Sequence, residues 1–263
     1  MAGFHPTPQQ SFGQGSRVRA MNDINDYIEL VKAPWGRIFY DLLFEQLAIP
    51  QAPRLKILDF GSGLGVTANH FAAWHDVTVI EPNSEMIEHR YADNHYTQIL
   101  GGIEETATYG DGAFDMILCH NVLEYMEEKE PIIAAFFRML KPGGTLSIVK
   151  HNRAGRVIHT AVFRNNPAKA AKLIDHRAND VNQYLGTQYL YSLSDVRAWA
   201  DKYGGKISKI LGMRAFWALG QDNTIKYSDE WYRGMLDLER RAADIDEYKN
   251  AAFYNHILIE KTE

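Results

Sequence analysis

The chain has 263 residues, 46% hydrophobic and 23% charged, an ordinary globular balance that excludes a fibrous or wholly disordered protein. Its formal net charge of −5 argues against a general nucleic-acid coat. The charge is segregated, however: between residues 150 and 180, Lys150, Arg153, Arg156, Arg164, Lys169, Lys172 and Arg177 oppose only Asp175 and Asp180, which makes this segment +5 and the remainder −10. A single cysteine, Cys119, excludes an intrachain disulfide and a cysteine metal cluster, and its apolar surroundings suit a buried, inert thiol. No apolar run approaches the ~20 residues of a membrane span. Residues 1–20 read as a loose polar arm, not a signal peptide. Neither a membrane nor a metal is expected, and the cytoplasm is the expected compartment.

In chain order, Met21 to Ala48 is helical with a break at Ala33-Pro34, because the residue before proline is pushed out of the α region. Leu55 to Phe60 is a short buried strand that ends in glycines. Val66 to Trp74 reads as a helix, Val77 to Ile80 as a β-branched strand ending at Glu81, and Asn83 or Ser84 can cap the next helix. Gln98 to Gly101 and Phe114 to Cys119 read as further strands, and Pro131 to Leu140 as a helix stopped by Lys141-Pro142-Gly143-Gly144. Thr145 to Val149 is a fifth strand. This alternation predicts an α/β fold with a doubly wound, Rossmann-like, mostly parallel sheet. After Lys150 a basic, largely helical segment runs to about Tyr191. A helix (Ser194 to Lys202), a strand (Lys206 to Met213), a charged helix (Ser228 to Ala243) and a last strand (Tyr254 to Glu260) follow. One domain over residues 21–263 is expected, with 151–191 as a basic helical insertion after strand five.

The central motif is Asp59-Phe60-Gly61-Ser62-Gly63-Leu64-Gly65. Glycines leaving a strand let the backbone turn tightly and let a ligand approach where a Cβ would collide. Glu81, 20 residues beyond Gly61, is placed to accept hydrogen bonds from both hydroxyls of a ribose. A dinucleotide fingerprint needs its third glycine or alanine where this chain has Val66.

With this spacing the sequence resembles the class I S-adenosylmethionine-dependent methyltransferases, whose first motif is (D/E)-x-G-x-G-x-G. Further landmarks follow in that family's order: Glu81, Gly102-Ile103-Glu104-Glu105, Phe114-Asp115-Met116-Ile117 and Leu140-Lys141-Pro142-Gly143-Gly144. The resemblance implies seven sheet strands and S-adenosyl-L-methionine as cofactor. Asp59, Gly61, Gly63 and Gly65 would line it and Glu81 would hold its ribose. Ile103 with Glu104 or Glu105 would flank the adenine, and His120 would sit near the methionine end.

Cys119-His120-Asn121-Val122-Leu123-Glu124-Tyr125 resembles a narrower bacterial branch that methylates 5-carboxymethoxyuridine at the tRNA wobble position. Similar matches are Asn152 with Gly155, Gly212-Met213-Arg214-Ala215-Phe216, Leu236-Asp237-Leu238-Glu239 and Tyr254-Asn255-His256. This resemblance implies that Arg37 contacts the cofactor carboxylate, a group its planar fork suits. It also implies a carboxylate acceptor, which is already ionised at neutral pH and needs no obligatory acid–base residue. The substrate-orienting candidates are then His120, His151, Asn152, Arg153, Tyr189, Tyr191 and Arg214, within a Tyr-rich stretch that includes Tyr184. A tRNA would be gripped through segment 150–180. The alternative is a small anionic substrate: a quinone-type ring or a carboxylic acid, methylated on oxygen or carbon. A phenolic acceptor would need a base, and His151 or His120 would have to supply it.

Overall fold

The computed structural model describes residues 24–175, 180–182 and 186–262. The expected N-terminal arm, Met21, Arg177 and Tyr184 lie outside them. Helices α1 (Ile24–Lys32) and α2 (Pro34–Leu47) meet at Ala33, whose extended backbone (φ −66°, ψ 165°) is the conformation a following proline selects. Pro34 opens α2, where its missing N–H is no loss. Strands and helices then alternate: β1 (Lys56–Phe60), α3 (Val66–Phe71), β2 (Asp76–Glu81), α4 (Ser84–Glu88), β3 (Thr97–Leu100), β4 (Phe114–His120), α5 (Glu130–Met139) and β5 (Leu140–His151). Asn83 caps α4, its Oδ1 accepting the N–H groups of Glu85 (2.9 Å) and Met86 (3.3 Å).

After β5 come α6 (Arg153–Val162) and α7 (Pro167–Ile174), a small hairpin of β6 (Asp180–Asn182) and β7 (Gly186–Gln188), then α8 (Leu193–Lys202), β8 (Gly205–Met213), α9 (Asp229–Ala242), α10 (Asp246–Lys249) and β9 (Tyr254–Lys261). The hairpin corrects the expectation of a largely helical segment up to Tyr191. Two other boundaries move: α3 ends at Phe71, and β5 begins at Leu140, so the Lys141–Gly144 stop lies within the strand's span.

Seven strands stand in the order β3-β2-β1-β4-β5-β9-β8. The first five are parallel, and β9 is antiparallel to both neighbours. Side chains alternate between two packed faces. Leu58, Phe60, Ile117, Cys119, Leu146 and Ile148 meet Phe136 and Phe137 of α5 and Val196 and Ala200 of α8. Ile57, Leu118, Val149 and Leu258 meet Ile38, Leu42 and Leu43 of α2, Phe71 of α3, and Tyr232 and Leu236 of α9. Cover on both faces is why these strands are short apolar runs. Cys119 is fully buried, and that burial pushes its thiol pKa up. Among the described residues no helix is long and apolar enough to cross a membrane.

From β1 the sheet grows one way through β2 and β3 and the other way through β4 and β5, so the strand order reverses between β1 and β4 and a crevice opens at the carboxyl ends of these parallel neighbours. Helix α6 is pressed against the turn leading into β9. A Cβ on Gly155 would lie 2.1 Å from the Ala252 carbonyl oxygen, and Asn152 at the head of the helix donates to the carbonyls of Asn250 (2.8 Å) and Ala252 (2.9 Å). Backbone cannot yield as a flexible side chain would. Gly155→Ala is expected to destabilise the chain by about 2–3 kcal/mol, read as a lowered urea midpoint.

Candidate active site

The loop from β1 into α3 turns on Gly61, Gly63 and Gly65, all at positive φ (+73°, +56° and +67°). A Cβ at Gly61 would also strike the Val122 side chain at 2.4 Å, so only glycine fits there. Glu81, the last residue of β2, clasps this loop: Oε2 accepts the Gly63 N–H (2.8 Å) and Oε1 the Asn83 N–H (2.9 Å). Its pKa is raised by burial, against the pull of those two N–H groups. Each oxygen keeps a second lone pair, so the carboxylate remains able to accept a diol.

Beside it, Asp59 is only 3% exposed. Burial first, and then the negative Glu81, push its carboxyl up to about 7, against a hydrogen bond from Ala68. Tyr27 reaches over from α1, which packs on Leu64, Met86 and Tyr91, and its hydroxyl lies 3.9 Å from where a Gly63 Cβ would be. Burial, then Tyr254 and Glu81, raise Tyr27 to about 12. Four buried polar atoms at the ends of β1 and β4 have no protein partner: Asp59 Oδ2, Ser62 Oγ, His120 Nδ1 and Asn121 Oδ1. Orphaned polar atoms beside a glycine turn fit a polar ligand.

Ile103, Glu104 and Glu105 lie on a 3-10 turn (Ile103–Thr108) beyond β3, beside Glu81, whose carbonyl accepts the Gly101 N–H (3.2 Å). Glu104 accepts the Gly102 N–H (2.8 Å), while Ile103 and Leu100 expose apolar surface (36% and 59%). That arrangement suits a flat aromatic group laid against the turn.

A second cluster stands where β5 and β8 end and β9 begins; the register pairs both His151 and Met213 with Tyr254. The fully buried Glu124 accepts both the backbone N–H (2.7 Å) and Nδ1 (3.1 Å) of His151 through Oε1. Burial lowers the His151 pKa, and Glu124 opposes the shift. The His151 ring lies 4.7 Å from that of Tyr254.

Arg214 adopts φ +59°, a strained conformation held by a buried acid. Glu239 takes the N–H groups of Ala215 (2.7 Å), Phe216 (2.8 Å) and Trp217 (2.7 Å), which fixes the turn that carries the arginine. The guanidiniums of Arg214 and Arg156 lie 5.4 and 5.6 Å from the Phe253 ring, and His159 lies 4.9 Å from it. Burial, then the charges of Arg164, Arg214, Arg156 and Lys226, depress His159 to about 3. Gln188 accepts from Arg156 (3.2 Å) and donates to the Tyr125 hydroxyl (2.8 Å).

The other expected residues make the following contacts. His120 is half-buried, its Nε2 bonded to Ser147 Oγ (2.8 Å). Asn152 spends both amide protons on backbone carbonyls, and Arg153 donates to the Leu173 carbonyl (3.2 Å). Tyr191 is buried in the α5–α8 layer against Trp199, on the sheet face opposite His151. Tyr189 lies near Lys129 (5.7 Å to the ring). Arg37 lies over Tyr232 (4.1 Å) and pairs with Asp41 (3.8 Å) and Asp229 (3.7 Å), so its partners among the described residues belong to α2 and α9. Lys150 and Arg156 point inward, and the surface charge of the basic segment reduces to Arg153, Arg164, Lys169 and Lys172 among the described residues. Arg156, Phe253, His159 and Tyr254 were not singled out as site residues by the sequence; Tyr254 lay within a matched motif, and Arg156 within the basic run.

Asp59 gives the site a pH signature. A raised folded-state pKa contributes stability that is fully present below the ordinary value of 3.8 and is lost as pH rises through about 7. Asp59→Asn removes that loss. The variant is expected to gain on wild type steadily between pH 4 and 7 and to be the more stable at pH 8, read from urea midpoints. A gap that does not vary with pH contradicts the burial argument.

Residues 58–148 match the family model of a methyltransferase domain. The chain is 24% identical over 218 residues to the tRNA 5-carboxymethoxyuridine methyltransferase of Escherichia coli K12, a match spanning 80% of this chain and 81% of that one. It is 25% identical over 166 residues to the ubiquinone biosynthesis O-methyltransferase of Klebsiella pneumoniae, covering 60% and 64%. Its fold is similar to that of an S-adenosylmethionine-dependent methyltransferase from Archaeoglobus fulgidus, with a TM-score of 0.60 at 12% identity over 91% of this chain and all of the other. The chain thus carries a methyltransferase domain and has the fold of the S-adenosylmethionine-dependent methyltransferases.

Proposed function

We propose that the chain transfers a methyl group from S-adenosylmethionine to an anionic acceptor, the carboxylate of a modified wobble uridine in tRNA. The observation that carries this reading is the pair of guanidiniums, Arg156 and Arg214, set about the Phe253 ring beside Tyr254. Arginine forks hold a carboxylate through paired charge-assisted bonds, and an aromatic ring gives a splayed-out base a face to stack on. The similarity to the E. coli tRNA enzyme over four fifths of both chains supports it, as do the exposed Arg164 and Lys172, which suit phosphates. A cytoplasmic location follows from a tRNA substrate.

In this reading the glycine loop and Tyr27 enclose the methionine portion of the cofactor, Glu81 accepts its ribose hydroxyls, and Ile103 with Leu100 packs on the adenine. The bound sulfonium supplies an electrophilic methyl. The protein's own work is to orient the acceptor in line and exclude water.

The Glu124–His151 pair favours a second reading. Glu124 holds the Nδ1 proton, and Nε2 has no partner among the described residues, as a base for a phenolic hydroxyl would require. The Klebsiella relative is named for an O-methylation. The two readings part on pH. A carboxylate acceptor gives a methylation rate that is flat from pH 6 to 8. A His151 base gives a rate that falls on the acid side, below its depressed pKa.

Three measurements test the proposal. Mass spectrometry of tRNA nucleosides from a deletion strain is expected to show the wobble methyl ester gone; an unchanged ester refutes the tRNA acceptor. Arg214→Ala is expected to lower kcat/KM for that tRNA by about 10- to 100-fold, the range for a lost charged hydrogen bond of ~1.5–3 kcal/mol. By the same range, Glu81→Ala is expected to raise the Kd for S-adenosylhomocysteine about 10- to 100-fold in calorimetry.

A further inference from the structure

A line of hydrogen bonds joins the two halves of the site. Gln46 on α2 donates Nε2 to the Gly212 carbonyl (3.0 Å), and its Oε1 meets His256 Nδ1 (2.9 Å). His256 Nε2 meets Ser147 Oγ (2.8 Å), and the same Oγ meets His120 Nε2 (2.8 Å). Ser147 and His256 are fully buried.

Donor and acceptor chemistry sets the direction of every bond. A carbonyl only accepts, so Gln46 must turn its NH2 toward Gly212 and its Oε1 toward His256. Oε1 also only accepts, so the His256 proton sits on Nδ1 and its Nε2 is a lone pair. The Ser147 hydroxyl therefore gives its one proton to His256 and accepts from His120 Nε2–H. Burial lowers both imidazole pKa values, His256 to about 3 and His120 well below the ordinary value, so both rings are neutral and each carries one N–H. The His120 Nδ1 is left as a lone pair, buried and without a partner.

Its neighbours in deficit have the same polarity. Asn121 Oδ1, also unpartnered at the end of β4, is an acceptor, Asp59 Oδ2 at the end of β1 is one in its ionised form, and Ser62 Oγ can serve either way. Three waiting acceptors call for a group rich in N–H donors and offer nothing to an anion. Nor is His120 placed to act as a base, since a proton on Nδ1 would strand a cation in a buried site with both nitrogens donating.

We propose that the relay Gly212–Gln46–His256–Ser147 fixes the Nε2–H tautomer of His120 so that Nδ1 accepts a hydrogen bond from the primary ammonium group of the cofactor's amino-acid tail. Gln46, His256 and Ser147 are then positioning residues. The inference rests on the cofactor reading above.

Two measurements test it. Long-range 1H–15N spectra of histidine-labelled wild-type protein read each tautomer directly. The expected result is Nε2–H for His120 and Nδ1–H for His256, and Nδ1–H on His120 overturns the proposal whatever ligand binds. Calorimetry then compares S-adenosylhomocysteine with its analogue lacking only the amino group. Wild type is expected to prefer the amino form by about tenfold or more, the scale of one charge-assisted hydrogen bond, and His120→Phe to lose most of that preference. An equal preference in both proteins overturns the ammonium contact while leaving the cofactor reading intact. Failure of wild type to bind S-adenosylhomocysteine at all overturns the cofactor reading and this proposal with it. The tautomer measurement needs no variant to fold.

Discussion

Parallel strands covered on both faces leave one region for polar side chains, the edge at which they end. Leucine, isoleucine and valine fill both layers of this sheet, while Glu81, His120 and His151 are the last residues of their strands and Asp59 the next to last of its own. Glu81 then does two things at once. Its carboxylate ties the glycine loop to the head of α4, and it keeps lone pairs facing the crevice. The reversal of strand order between β1 and β4 supplies the space, and the antiparallel pair of β8 and β9 carries the wall of the second cluster up to the same edge.

That wall is held by charges withdrawn from water. Glu124 reaches His151, and Glu239 reaches the turn after Arg214, each through a side chain that is almost wholly buried. Isolated buried charges are costly, and these persist because backbone N–H groups or an imidazole meet them. Glu239 is instructive: burial raises its pKa even though three consecutive N–H groups and Arg214 pull the other way. The arginine it supports keeps a buried Nε with no partner. Asp59, Ser62, His120, Asn121 and Arg214 all keep an unpartnered buried polar atom near this edge.

Much of this was legible in the sequence. The alternation of strands and helices, the break at Pro34, the glycine turn and Glu81 all depend on local spacing, and each stands where the spacing puts it. The acceptor side was less legible for a physical reason. Whether Lys150 and Arg156 face solvent or the interior is decided by packing with Tyr191, Gln188 and Phe253, which are distant in the chain. A count of basic residues therefore overstated the surface charge of the 150–180 segment. The pairing of Glu124 with His151, 27 residues apart, and the placing of Tyr191 behind the sheet likewise depend on which face of a strand each side chain takes.

Asp59 carries a consequence for how a ligand's arrival is felt. At neutrality its carboxyl is poised between two protonation states. A cation seated beside it favours the ionised form, so uptake of the cation expels part of a proton. Binding of a positively charged ligand is then partly an exchange of one cation for another. The site's charge changes by less than the ligand's own charge, and the heat evolved includes the ionisation heat of whichever buffer takes up the released proton.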